Sequence, residues 1–278
     1  MNLSNKDYRS EFIKQGYLHF NDALEQSQIS KVKNEVISVF GSIFNKNNMN
    51  DVFKSNEEFE ENVFKLFIKN HNDYLSTIRA VQHIYSIYEI LSSEEIKFFL
   101  KLIGLVQPAI AARPILYMNN KKLSKEEFHY KVPAHQDWRS MQGSLNSVVV
   151  WIPLVDVTLS MGAIELVPRS HLGGLLPSEK DNWYRHIPNG ITSDMNFESV
   201  EVKAGDLIIF NQFLVHRSGN NITDKIRWSI QFRFNDLKDE TFISRSLPYP
   251  SRSYIPPDEL ITPNFPKIDD IISSLKMK

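Results

Sequence analysis

Between residues 112 and 235 the chain is cut into short β-branched and aromatic runs divided by turn residues, and this pattern restricts the fold more than any other feature. The runs are SVVVWIPL (147–154), GAIELVP (162–168), ESVEVKAG (198–205), DLIIF (206–210) and IRWSIQFRF (226–234). Runs of this length rich in Val, Ile, Trp and Phe are strands. Most follow one another with no helical pattern between them, which disfavours a parallel βαβ sheet and leaves a sandwich or a barrel.

The preceding residues have a different period. SQISKVKNEVISVFGSIF (27–44) places Ile29, Val32, Val36 and Phe40 on one helical face. Residues 55–91 repeat that spacing, with acidic residues near the start, where they suit the helix dipole. We expect one domain over 1–278, with helical support from 1 to 111, a β core from 112 to 235 and an extension from 236 to 278. That extension carries a proline-rich stretch, SLPYPSRSYIPP, and a short amphipathic helix, KIDDIISSLKMK. Residues 170–198 read as a long loop, and long loops are commonly functional or mobile.

Composition removes several classes. A formal net charge of −1 offers no global basic field for nucleic acid or an acidic membrane. The absence of cysteine excludes disulfides and thiolate metal sites. The opening MNLSNKDYRSEF lacks the apolar core of a signal peptide, and LIGLVQPAIAA (102–112) is too short to span a bilayer. The expectation is a soluble cytoplasmic protein with no nucleic-acid or membrane partner, with homo-oligomerisation left open.

Within KVPAHQDWRSMQGSLNSVVVWIPL (131–154), His135 and Asp137 stand two apart just before a buried strand. His-X-Asp alone has little value, and His71-Asn72-Asp73 supplies a second copy in the helical half. There, positions two apart diverge by about 200°, so His71 and Asp73 are read as a solvated helix surface or end, far from any site. On an extended strand end, residues two apart share a face, and His135 and Asp137 can meet one metal. A third ligand must come from elsewhere, and His216, after the Gly205-Asp206 turn and the following strand, is the candidate. Two His nitrogens and one carboxylate oxygen are the donor set of non-haem Fe(II) oxygenases, with open positions for co-substrate and dioxygen. The competing reading is three unrelated polar residues.

Arg227 falls in an otherwise apolar and aromatic strand. A buried guanidinium is costly unless paired, and its planar fork suits a carboxylate held through two bonds. Ser229 shares its face and offers a second donor, and Arg233 lies on that face too. The alternative is a structural Arg that reaches the rim or pairs with a core acid.

HQDW with the downstream Trp151, GAIELVPRSH, VKAGDLIIFNQFLVHRSGNN and the Arg-Trp-Ser of 227–229 resemble the phytanoyl-CoA dioxygenase family of Fe(II)/2-oxoglutarate oxygenases. FIKQGYLHFNDALEQSQISKVKNEV (12–36) is similar to that family's opening helix–strand–helix, so the resemblance spans roughly residues 8–235. It implies a mainly β fold with flanking α, a double-stranded β-helix (jelly-roll) core with N-terminal helices packed against it. It also implies Fe(II) on His135, Asp137 and His216, and 2-oxoglutarate and O2 as co-substrates. Arg227 would then grip the distal carboxylate with Ser229 assisting, and Gln136 and Trp151 would line the co-substrate pocket. The implied reaction hydroxylates a small molecule with release of succinate and CO2. The carboxylate at Asp137 speaks against halogenation, which needs a small residue there.

Two positions depart from the family's usual pattern. Ser160-Met161-Gly162 replaces Asn-Gly, a turn change, and Pro168-Arg169-Ser170-His171 replaces Pro-Gly-Ser-His, which sets a cation near the mouth. His171 is read as structural. Arg113, Tyr117, Asn119, Trp138, Arg139, Arg169, Trp183 and Arg185 are candidate substrate contacts and point to a polar or anionic small molecule. A non-catalytic jelly roll, or a cupin-like metal protein without 2-oxoglutarate, is the alternative, and Arg227 discriminates because such a protein has no use for a buried cation.

Overall fold

The computed structural model describes residues 5–125, 131–180 and 185–248. The chain opens with α1 (Asn5–Gln15), β1 (Tyr17–Phe20) and α2 (Gln26–Lys46), followed by α3 (Asn56–Lys69), α4 (His71–Val81), α5 (Tyr85–Leu91) and α6 (Glu94–Leu102). The spacing read from the sequence is the buried stripe of α2: Ile29, Val32, Val36 and Phe40 face the core. Ser55 and Ser93 cap α3 and α6 by accepting the Glu58 and Ile96 N–H groups, and glutamates occupy the first turn of both helices. Each such cap is worth roughly 1 kcal/mol.

The remainder is β2 (Pro108–Asn119), α7 (Trp138–Met141), β3 (Val148–Pro153), β4 (Ile164–Leu166), β5 (Glu179–Lys180), β6 (Arg185–His186), α8 (Asn189–Thr192), β7 (Glu198–Val200), β8 (Leu207–Asn211), β9 (His216–Ser218), β10 (Arg227–Asp236) and α9 (Glu240–Ser244). The major sheet runs β1-β8-β3-β10-β2 and the minor sheet β7-β4-β9, all neighbours antiparallel. A backbone bridge from His135 to His216 extends the minor sheet. From β2 onward, with the His135 bridge counted in the minor sheet, the chain alternates between the major and minor sheets except that β4 and β7 both fall in the minor sheet, the order of a jelly roll, with N-terminal helices packed against the major sheet. β2 itself, PAIAARPILYMN, begins ahead of residue 112 and is not among the runs that the sequence pattern picks out.

Every residue of β3 is buried because both of its faces are covered. Val148, Val150 and Ile152 pack into the cluster shared with the helices. Val149 and Trp151 pack into a second cluster with Ile164 and Leu166 of the minor sheet and with Ile208 and Phe210. Full burial of each such side chain stabilises by roughly 1.5–3 kcal/mol. β10 divides in the same way: Trp228, Ile230, Phe232 and Phe234 belong to the helix-side core. The alternate residues Arg227, Gln231 and Arg233 line a cavity between the sheets.

Gly205 has φ +90°, and a Cβ there would stand 2.9 Å from the Leu24 carbonyl oxygen, so the turn into β8 requires glycine. The next residue, Asp206, is a structural carboxylate. It accepts N–H groups of Lys203 (2.9 Å) and Asp22 (3.0 Å) and bonds His19 Nε2 (2.9 Å), tying β8 to β1. Burial alone would push its pKa up, but these bonds outweigh it and the net shift is downward.

The span 170–198, expected as a loop, contains a 3-10 turn (Ser170–Gly173), the β5–β6 hairpin and α8. Ile187 anchors it, donating its N–H to the Ala134 carbonyl at 2.8 Å and packing with Ala134 and Val215. The amphipathic helix expected over residues 267–278 and residues 249–257 of the proline-rich stretch lie outside the described residues. Among the described residues, no helix is long and apolar enough to cross a membrane.

Candidate active site

His135 and His216 are reciprocal backbone partners, with N–H···O distances of 3.0 and 3.1 Å. Directly opposed residues of an antiparallel pair project to the same face, and the two rings lie 4.1 Å apart, centre to centre. Asp137 arrives by another route than the extended one expected. Its backbone is helical (φ −72°, ψ −18°), and it opens α7 rather than closing a strand. The chain turns there because Trp138 donates its N–H to Gln212 (3.1 Å), while Ser140 and Met141 donate back to the Asp137 carbonyl. That turn carries the carboxylate beside the two imidazoles.

Ligand atoms of His135, Asp137 and His216 all lie within 4.8 Å of one another. Asp137 Oδ1 is 4.0 Å from His135 Nε2, and Oδ2 is 3.7 Å from His216 Nε2. Each imidazole donates from Nδ1 to a carbonyl, His135 to Pro133 (2.8 Å) and His216 to Leu214 (3.0 Å). The proton is thereby placed on Nδ1 and the Nε2 lone pairs face the shared centre. Burial, with His135 beside it, pushes His216 down to about 3, so its ring is neutral at physiological pH. Burial pushes Asp137 up, but the charge and hydrogen bond of the Arg233 guanidinium lead the effects that outweigh it and hold the carboxyl well below the usual range. Asp137 Oδ2 is buried and has no hydrogen-bond partner. A buried carboxylate oxygen without a donor, facing two imidazole lone pairs, fits a divalent cation.

The three residues open onto a cavity of about 1020 Å³. Arg227 lies in its wall, almost fully buried. Its Nη1 donates to the Gly162 carbonyl and its Nη2 to Ser218 Oγ at 3.3 Å, leaving Nε with no partner. Burial lowers its pKa to about 10, so it stays charged at neutral pH, and no carboxylate pairs with it among the described residues. Ser229 Oγ, on the same strand face, is also buried without a partner, although Ser229 is not itself among the cavity-lining residues. A buried cation without a counter-charge is costly, and these orphaned donors fit the carboxylate of a bound dicarboxylate. Trp151 lines the same wall.

Gln136 lines the same cavity. Both its amide N–H groups are used, on the Gly174 (2.8 Å) and Phe213 (2.6 Å) carbonyls, and its oxygen accepts the Leu176 N–H (2.8 Å). It thereby fastens the 170–176 segment to the wall. Arg169 is corrected. Its N–H bonds the Gln15 carbonyl at the end of α1, and it is absent from the cavity wall. Its φ is +68°, in the left-handed region, which accounts for the family's glycine at this position. The left-handed region costs a non-glycine residue about 1–2 kcal/mol, and glycine's extra unfolded-state entropy returns about 0.4–1. Arg169→Gly is therefore expected to stabilise the fold by about 0.5 kcal/mol, measured by urea unfolding with activity unchanged.

His171 bonds the Ile13 carbonyl (2.9 Å) and packs on Gly16, a structural role. Asp73 bonds Lys46 (3.0 Å) and Asn47 (2.8 Å), whereas His71 lines the cavity, nearer the site than its helical position suggests. Of the candidate substrate contacts, Arg113, Tyr117, Arg139 and Arg185 line the cavity, while Asn119 and Trp138 do not, Trp138 stacking on Phe213. Trp183 lies outside the described residues. Sequence reasoning assigned no role to Arg233, which donates to Asp137 Oδ1 at 2.9 Å. The signal was its i, i+6 spacing from Arg227 on a strand of period two.

Residues 12–229 match the family model described as phytanoyl-CoA dioxygenase (PhyH). The phytanoyl-CoA dioxygenase of Arabidopsis thaliana is 27% identical over 241 residues, 78% of this chain and 83% of that one. A methylphosphonate hydroxylase of Gimesia maris is 26% identical over 134 residues, covering 44% of this chain and 50% of that one. Among solved structures, the epimerase SnoN in complex with Fe3+, α-ketoglutarate and nogalamycin RO shares the fold at a TM-score of 0.56, with 16% identity over 84% of this chain and 83% of that chain. With the match running from α1 into β10 and the jelly roll intact around it, this chain belongs to the phytanoyl-CoA dioxygenase family and is an Fe(II)/2-oxoglutarate-dependent oxygenase.

Proposed function

We propose that this oxygenase hydroxylates a polar, anionic small molecule, with His135, Asp137 and His216 holding Fe(II) and Arg227, assisted by Ser229, holding the distal carboxylate of 2-oxoglutarate. When bound, Fe(II), 2-oxoglutarate and O2 supply the oxidising power, with succinate and CO2 as the co-products. The chain's own residues bind and orient. The Nδ1 bonds to Pro133 and Leu214 aim the two imidazoles, and Trp151 and Tyr117 wall the co-substrate off from water.

The observation that carries the substrate class is the charge of the cavity wall. Arg79, Arg113, Lys125, Arg139, Arg185 and Arg217 line it, whereas Asp137 is the one carboxylate among the described lining residues. In a chain of 32 basic and 33 acidic residues this imbalance is local, and it favours a substrate bearing a carboxylate or phosphoryl-type oxyanion. Segments 119–128 and 170–198 cover the mouth in this reading. Lys125 and Arg185 reach the cavity from them, and Arg139 donates to the Leu176 carbonyl (2.7 Å). Residues 126–130 and 181–184 of these segments lie outside the described residues.

Succinate release from purified protein supplied with Fe(II), 2-oxoglutarate and ascorbate tests the reading. A slow substrate-independent turnover is expected, stimulated by anionic candidates and not by their neutral esters or amides. Equal stimulation by both forms would remove the substrate class.

A further inference from the structure

Asp137 presents two chemically equivalent oxygens, but its surroundings treat them differently. Oδ1 accepts from Arg233 Nη2 at 2.9 Å, while Oδ2 has no hydrogen-bond partner. Arg233 belongs to β10, four strand positions past Ser229 and on the same face, so the strand that carries Arg227 also reaches the carboxylate. Its backbone is held inside the major sheet, between β3 and β2, by register with Val149 of β3 and Ala112 of β2. The guanidinium is itself confined: its Nη2 also reaches Gln231 Oε1 at 3.5 Å, and its side chain is 12% exposed.

A carboxylate beside a divalent cation can bind through one oxygen or both, and free rotation about the last torsion permits either. The bond to Arg233 removes that freedom. We infer that Arg233 is a positioning residue that occupies Asp137 Oδ1 and leaves Oδ2 alone to bind the metal, so that the carboxylate takes one coordination position and not two. This rests on the assignment of Asp137 as a metal ligand made above. The position saved is one of those that co-substrate and dioxygen need. The sequence places a cation here instead of a neutral donor, and a charge-assisted bond competes better with the metal for the same oxygen.

The test uses the whole chain with Co(II), whose visible spectrum reports coordination number, together with steady-state kinetics. Arg233→Gln is expected to bind metal about 10–100-fold more weakly or turn over about 10–100-fold more slowly, as removal of a ligand's hydrogen-bond partner does elsewhere. Its Co(II) spectrum should differ from that of the unaltered protein, and its KM for 2-oxoglutarate should change less than twofold. Arg233→Lys, which keeps charge and a donor, should recover at least tenfold in turnover over the glutamine variant and restore the Co(II) spectrum. If Arg233→Gln does not fold, Arg233→Met takes its place: a spectrum indicating an extra carboxylate oxygen on the metal supports the inference, and one like the unaltered protein's overturns it. An unaltered Co(II) spectrum in folded Arg233→Gln also overturns it, whatever happens to thermal stability. Asp137→Ala separates the two levels. Co(II) binding that survives this substitution undiminished removes the ligand assignment itself, and with it the role of Arg233. Co(II) binding that is lost upholds the ligand assignment, and the spectra of the Arg233 variants then decide the positioning role.

Discussion

Arg227→Ala is expected to raise the KM for 2-oxoglutarate by roughly 30-fold to several-thousand-fold, the equivalent of about 2–5 kcal/mol for a buried charge-assisted contact. Metal affinity should hardly change, because Arg227 makes no contact with the His135, Asp137 and His216 cluster in the described contacts. Its guanidinium is held by Gly162 and Ser218, with Nε unpartnered. Arg227→Lys should recover only part of the loss, since an ammonium cannot reproduce the planar fork. Steady-state kinetics with 2-oxoglutarate as the varied substrate decides the matter. An unchanged dependence on 2-oxoglutarate in Arg227→Ala would remove the residue from the co-substrate site.

Asp137→Ala should behave in the opposite way, losing metal affinity by more than about 100-fold and turnover with it, because a ligand and not merely its support is removed. Asp137→Asn keeps the shape but discards the charge that Arg233 and the metal both need, and it should lose nearly as much. Isothermal titration with Fe(II) under anaerobic conditions, or with Co(II) in air, measures the affinity directly. Retained affinity in either variant would mean that the histidines bind without the carboxylate. The two sets of variants together form a cross: one moves 2-oxoglutarate dependence alone, the other moves metal and turnover together.

Much of this is legible in the residues alone. The unbroken apolar run of β3, the alternation along β10 and the helical stripe of α2 are local patterns, and each survives into the fold because the core that satisfies it is the core the pattern describes. β2 escapes notice because PAIAARPILYMN mixes alanines and two prolines with its apolar residues, and its pairing with β10 decides its conformation. Residue type and order single out His135, Asp137 and His216, but an extended strand end is an incomplete reason for their convergence. The helical backbone of Asp137 depends on a bond from Trp138 to Gln212, a contact across the fold that no local window contains. Gln136 is legible only in part, on similar grounds. Its place in HQDW puts it at the cavity, but its hydrogen-bond partners, Gly174, Leu176 and Phe213, come from segments distant in sequence. Arg169 shows the converse. A residue that breaks a glycine pattern reads as function in one dimension and as backbone strain in three.

β10 puts Arg227, Ser229, Gln231 and Arg233 on one side and Trp228, Ile230, Phe232 and Phe234 on the other. The strand therefore has a phase as well as a sequence. Inserting or deleting a single residue between 227 and 233 would turn Arg233 toward the helices while Arg227 kept its place, or the reverse, and would part the two guanidiniums that now share one face. The 174–198 excursion obeys no such parity. Its attachments at Gln136, Arg139 and Ala134 are separate tethers, and the lengths between them can vary without moving a ligand. For anyone retargeting this scaffold, or tracing how relatives acquired different substrates, length changes belong in that excursion, whereas β10 will tolerate exchange of side chains only.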